Sequence, residues 1–147
     1  MNLDAVTAPA PGKAATISAQ TGITSGRFVI SIRHNYLVAD ATLARGGANE
    51  APGAIELLIA SLATCALAVI EDEGRKAGAR EASYHVVISA TQSADDRTRF
   101  SNVDFAFHFT NIDQNAGEAL IKVFTDVCPI YNTVARTTPI TMSLTVA

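Results

Sequence analysis

Residues 54–78 read AIELLIASLATCALAVIEDEGRKAG. Pro52 and Gly53 stand just before this stretch and Gly78 closes it, the punctuation of a helix start and stop. Ile55, Leu58, Ile59, Leu62, Ala66, Val69 and Ile70 recur at helical spacing, while Leu57 and Leu67 lie on other faces. The first part is therefore apolar nearly all round, and a helix of that kind is buried on most sides. The tail, Glu71-Asp72-Glu73-Gly74-Arg75-Lys76, is polar and is expected to emerge into solvent. The apolar run Leu57–Ile70 contains Ser61 and Thr64 and is too short to span a bilayer, so it predicts a core helix.

On either side of this helix the hydrophobic period changes to two. Residues 14–22 and 26–34 predict a β-hairpin turning at Thr24-Ser25-Gly26, with Phe28, Ile30 and Ile32 on one face. Residues 35–41 add a short strand through Tyr36 and Val38. Residues 45–53 are a loop by composition. After the helix, Tyr84, Val86 and Ile88 alternate with polar or smaller neighbours, as do Val103, Phe105, Phe107 and Phe109; residues 93–100 form the polar connector. A second helix is expected over about 112–127, capped by Asn111 with Gln114 at capping-box spacing. Its buried stripe is Ala116, Leu120, Phe124 and Val127. A short helix over 129–136 and a last strand through Ile140, Met142, Leu144 and Val146 complete the chain. The order β-β-β-α-β-β-α-β predicts an α+β fold, with an antiparallel sheet packed on a long buried central helix. Residues 1–13, with Pro9, Pro11 and Gly12, are expected to be a flexible arm, and 14–147 a single domain.

Composition limits the partners. The chain has 147 residues, 48% hydrophobic and 17% charged, with a formal net charge of −3. That is ample material for a core, and so few charges suggest surface hidden in an oligomer. Nucleic acid and anionic membrane surfaces are not expected partners of an acidic chain. Met1 to Thr16 has neither a basic segment nor an apolar one of the kind that targets secretion, so a cytosolic protein is expected. Two cysteines do not make a disulfide scaffold; there they would be free thiols, metal ligands or redox groups.

Cys65 sits in the middle of the apolar helix and Cys128 at a helix break. Two buried structural cysteines are one reading, since free Cys is among the most buried residue types. Cys128 carries more information. The residue before a proline is pushed out of the helical region, and Pro is favoured at the first helical position. Cys128 should then cap the helix that begins at Pro129. Free backbone N–H groups there favour a thiolate.

Glu56-Leu57-Leu58-Ile59-Ala60-Ser61-Leu62-Ala63-Thr64-Cys65 resembles the helix motif of the OsmC/Ohr family, the osmotically induced and organic hydroperoxide resistance proteins. Cys128-Pro129-Ile130-Tyr131 resembles the family's second motif, and Gly26-Arg27-Phe28 and the Gly46-Gly47 loop also fit. The resemblance covers about residues 14–147. It implies an intertwined homodimer with an active site near each subunit interface, and a peroxidase working through thiols. Cys65 would attack an organic hydroperoxide and become a sulfenic acid. Cys128 would resolve it to a disulfide, which a dithiol reductant reopens. A sulfenic acid beside a resolving thiol is drawn off before over-oxidation. No metal or organic cofactor is implied.

In the peroxidases of the family an Arg stabilises the thiolate and a Glu holds that Arg. The family's Glu position is Ile55 here, with Glu56 one residue later. At about 100° per residue, Glu56 lies on the helix face opposite Cys65; it also reads as a first-turn carboxylate favoured by the helix dipole. Arg27 best fits the family's Arg; Arg33 and Arg45 are alternatives, and Glu50 is another possible Arg partner. These departures resemble the broader OsmC-like subfamily. Two rival functions therefore stand beside the peroxidase: a non-catalytic protein holding a small hydrophobic ligand, and a slow thiol redox sensor. His34, His85 and His108 show no metal-ligand spacing with Cys or Asp. No Gly-x-Ser-x-Gly elbow or phosphate-binding Gly-rich motif is present.

Overall fold

The computed structural model describes Gly12 and residues 14–147; the arm expected over 1–13 lies, Gly12 apart, outside the described residues. The chain divides into two compact units, Met1–Leu57 and Leu58–Ala147.

In the first unit, β1 (Ser18–Thr21), β2 (Arg27–Ile32) and β3 (Asn35–Asp40) form an antiparallel sheet in that order. Arg33, expected on the strand, instead occupies the turn between β2 and β3 at φ 56°. That turn sets the register Ile32↔Asn35 through Arg27↔Asp40. All six residues of β2 are half-buried, because both faces of so small a sheet stay partly open. Gly26 has φ 72° and lies against the backbone of Gly46 and Gly47, where an added Cβ would stand 2.6 Å from their atoms. Only glycine accepts that conformation and that approach together, and it brings the 46–50 loop down beside Arg27.

The helix α1 runs Ala54–Lys76; β4 (Ser83–Gln92), β5 (Phe100–Thr110), α2 (Gln114–Val127), α3 (Pro129–Ala135) and β6 (Ile140–Val146) follow in the second unit. The sheet order is β4-β5-β6. β4 and β5 pair antiparallel, but β6 runs parallel to β5, so the expected antiparallel sheet is mixed. The reason is the connection: α2 and α3 carry the chain back to the start of β5, the crossover a parallel neighbour requires.

One face of β5 supplies the centre of the core. Val103, Phe105, Phe107 and Phe109 pack with Leu62, Ala66 and Ile70 of α1, with Leu120 and Phe124 of α2, and with Cys128. The phenylalanine stripe thus faces α1, as its period of two predicts. The second helix begins later than the sequence suggests. Asp113, not Asn111, is its cap, accepting from the Ala116 N–H at 2.9 Å. Asn111 is at φ 56° and its side chain donates to the Glu81 carbonyl, so it closes the turn after β5 instead. Val127, expected in the buried stripe, is 57% exposed, because the helix stops there before its last turn reaches the core.

α1 departs from expectation in its burial. Only Leu62, Ala66, Ile70 and Gly74 are buried, a single stripe at four-residue spacing. Ile55 and Leu58 remain 46% and 38% exposed. By length and composition alone the helix would pass for a membrane span, yet its buried stripe packs against β5 and α2. One chain covers one face of a helix that is apolar on several.

Candidate active site

Cys65 and Cys128 are joined as a disulfide with their Cα atoms 6.5 Å apart, within the span a disulfide bridges. They reach this position from different elements. Cys65 lies midway along α1, at the border between its buried stripe and its open face, and is partly exposed. Cys128 is fully enclosed. Pro129 makes the difference: Cys128 takes the extended conformation, φ −75° and ψ 114°, and serves at once as the C-cap of α2 and the N-cap of α3. Its N–H donates to the Phe124 carbonyl at 3.0 Å. Its Sγ accepts from the Tyr131 N–H at 3.4 Å, an interaction that favours negative charge on sulfur. The Asn132 side chain donates to the carbonyls of Thr125 and Cys128, at 2.8 and 2.9 Å, and ties the break together. The Tyr131 ring stands 5.1 Å from that of Phe124, and both belong to the packed cluster that contains Cys128.

Arg27 stands in a cluster of its own unit, the first. Its Nε and Nη2 donate to the two carboxylate oxygens of Asp40 at 2.8 and 3.0 Å. Nη2 also donates to Glu50 at 2.8 Å. Asp40 Oδ2 further accepts from the backbone N–H groups of Glu50 and Ala51. The Arg27 hydrogen bonds, then that of the Glu50 N–H, pull the Asp40 carboxyl down to about 2. The same two carboxylates hold the Arg27 guanidinium above its ordinary value. Glu56 does not pair with Arg27. Its carboxylate accepts from the Gly53 N–H at 2.6 Å, where it satisfies an orphan donor at the start of α1. Arg45 is exposed at the end of a single 3₁₀ turn, Leu43–Arg45.

The sequence reading names Cys65, Cys128, Arg27 and Glu56, with Glu50 as another possible Arg partner; the structure joins Cys65 to Cys128 and Arg27 to Glu50, and leaves Glu56 on the Gly53 N–H at the start of α1. It does not name Asp40. The signal was there: counting back from the Arg33-His34 turn sets Asp40 directly across from Arg27, an opposite-charge cross-strand pair. His85 and His108 are exposed and stack across β4 and β5 with ring centroids 5.7 Å apart. Among the described residues no cluster of three or more His, Cys, Asp or Glu side chains is placed to hold a metal.

A disulfide that links a partly open sulfur to an enclosed one, inside a single chain, is an arrangement able to cycle between dithiol and disulfide. The family model for OsmC-like protein matches residues 47–143. No curated protein matches the chain. Among solved structures, an OsmC-like protein from Mycoplasma pneumoniae superposes with a TM-score of 0.77 at 16% identity, over 92% of this chain and 99% of that one. An organic hydroperoxide resistance protein OsmC from Legionella pneumophila gives 0.62 at 22% identity, over 90% and 99%. The organic hydroperoxide resistance protein OhrB of Bacillus subtilis gives 0.65 at 14% identity, over 90% and 98%. At these identities the likeness is one of fold.

Proposed function

The chain belongs to the OsmC-like protein family, and on that premise we propose that it is a thiol-dependent peroxidase acting on organic hydroperoxides in the cytosol. The observation that carries the reading is the Cys65–Cys128 pair at bridging distance. The Cys65 thiolate attacks the terminal oxygen of the hydroperoxide. The O–O bond breaks, the alkoxide leaves and takes a proton to become an alcohol, and Cys65 is left as a sulfenic acid. Cys128 then attacks the Cys65 sulfur; the S–S bond forms and hydroxide leaves, protonated to water. A dithiol returns the two electrons and two protons. The apolar stretch of α1 around Cys65 supports an alkyl hydroperoxide over hydrogen peroxide as the substrate. The role that family resemblance gives Arg27, support of the thiolate, is part of the proposal. So is a homodimer, supported by the apolar faces of α1 that one chain leaves open.

The test is peptide mass spectrometry of the reduced protein after one equivalent of an alkyl hydroperoxide, followed by turnover with a dithiol. A Cys65–Cys128 disulfide within seconds, and continued peroxide consumption, is the expected result. Cys65→Ser should abolish consumption. Cys128→Ser should consume one equivalent and stop at a sulfenic acid that dimedone traps. A disulfide that forms without turnover would favour the redox sensor. Two unmodified thiols after minutes would overturn the peroxidase and favour a ligand-binding protein.

A further inference from the structure

We infer that the disulfide is opened at one sulfur only: the reductant attacks Sγ of Cys65, and Cys128 is the leaving group. The inference rests on the Cys65–Cys128 redox couple proposed above, but not on hydroperoxide being its oxidant.

Thiol–disulfide exchange requires an incoming thiolate to reach one sulfur while the other departs, and access and leaving-group stability decide which. Both criteria select the same direction here. Cys128 has none of its surface open. Its own chain encloses it, with Phe105, Phe124 and Tyr131 in the same packed cluster, so no assembly of subunits can uncover it. Cys65 is partly open. The open side of α1 next to it carries Ser61, Thr64 and Ala68, all small and all exposed. The hydroxyls of Ser61 and Thr64 are turned to the helix's own carbonyls, of Leu58 and Ala60, at 2.6 and 2.8 Å. The side chains beside Cys65 on that side are small and uncharged, which suits a slender uncharged thiol. The leaving group is also prepared. The Tyr131 N–H already donates to Cys128 Sγ at 3.4 Å and favours the thiolate that departure creates.

The step balances as follows. The first thiolate of a dithiol attacks Cys65 Sγ, the Cys65–Cys128 bond breaks, and its electron pair goes to Cys128 Sγ, which takes up a proton. The second thiol of the reductant loses its proton and attacks the reductant's own sulfur in the mixed disulfide. The reductant leaves as a disulfide, and Cys65 is released as a thiolate. Two electrons pass to the protein.

The experiment starts from protein oxidised with diamide, so that it does not depend on peroxidase activity. Cysteamine and, separately, 2-mercaptoethanol are added as monothiols, the reaction is quenched in acid within milliseconds to seconds, and freed thiols are alkylated before peptide mass spectrometry. The expected result is the adduct on the Cys65 peptide and the alkyl group on Cys128, with 2-mercaptoethanol effective despite having no charge. The reverse labelling at the earliest times, or equal labelling, would overturn the inference. A second measurement needs no disulfide. The single thiol of Cys128→Ser should react with an aromatic disulfide reagent on the order of tenfold faster or more than that of Cys65→Ser; equal rates would overturn it. Should diamide form the disulfide while hydroperoxide does not, the peroxidase reading fails and the labelling result still decides this one. Should diamide form none, both fail.

Discussion

A buried carboxylate is costly unless a cation and hydrogen bonds compensate it. Asp40, with 1% of its side chain exposed, has both, in Arg27 and in the N–H groups of Glu50 and Ala51. Because its folded pKa is about 2, below the unfolded value of about 3.9, its contribution is complete above pH 4 and is lost as the pH falls towards 2. Asp40→Asn should therefore lower the melting temperature at pH 7, and the gap between variant and parent should shrink steadily from pH 4 to 2. Melts that stay the same distance apart across that range would show that the Asp40 charge is not linked to folding. Glu50, 71% exposed on the same guanidinium, should matter little, as exposed ion pairs do, so Glu50→Gln should melt close to the parent. At this scale the cysteines were legible because Pro129 constrains its neighbour and because two motifs coincide. Asp40 was not read because strands placed over 26–34 and 35–41 leave no turn between them. Without a turn there is no register, and without register Asp40 is not seen across from Arg27. Glu56 reads correctly by elementary helix physics, as a first-turn carboxylate.

Each element was legible where its pattern is long and its end is marked, as in the α1 helix and the β5 phenylalanine stripe. Strand direction was not, because β6 has the same alternation whether it runs parallel or antiparallel; the crossover through α2 and α3 decides. Helix α1 also contains a contact that periodicity does not reveal. Gly74 closes its buried stripe, and the Tyr84 hydroxyl and ring of β4 occupy the space an added Cβ would need. The Tyr84 ring cannot easily withdraw, since it packs edge-on against Phe109 at 5.0 Å. Its hydroxyl is buried without a partner, and burial, then the charge of Glu71, raises its pKa. Gly74→Ala gains up to about 1 kcal/mol of helix propensity, but overpacking typically costs about 1–3 kcal/mol. A net loss on the order of 1 kcal/mol is expected in urea melts. Tyr84→Phe removes an unsatisfied group and should be near neutral alone, and it should recover part of the loss when combined with Gly74→Ala. A Gly74→Ala variant more stable than the parent would mean that Tyr84 yields freely.

At the scale of the whole molecule, part of the apolar surface of α1 stays open. Leu62, Ala66, Ile70 and Gly74 account for the buried stripe of α1; Ile55 and Leu58 lie outside it and stay open, and a chain with 17% charged residues has little polar surface to offset them. Exposed apolar patches mark interaction surfaces, and the proposed occupant is a second copy of the chain. The first turns of α1 would then meet the partner. Sedimentation equilibrium should give a species of twice 15.4 kDa. Burying a leucine or isoleucine contributes about 1.5–3 kcal/mol each, and a carboxylate placed there meets apolar surface instead. Ile55→Glu combined with Leu58→Glu should therefore shift the equilibrium strongly to monomer. Because neither side chain belongs to the packed cluster, far-ultraviolet circular dichroism should show that the helices persist. A parent protein that sediments as a monomer at micromolar concentration would remove the second copy as the occupant of this face. A double variant that remains dimeric would instead place the contact elsewhere on the chain.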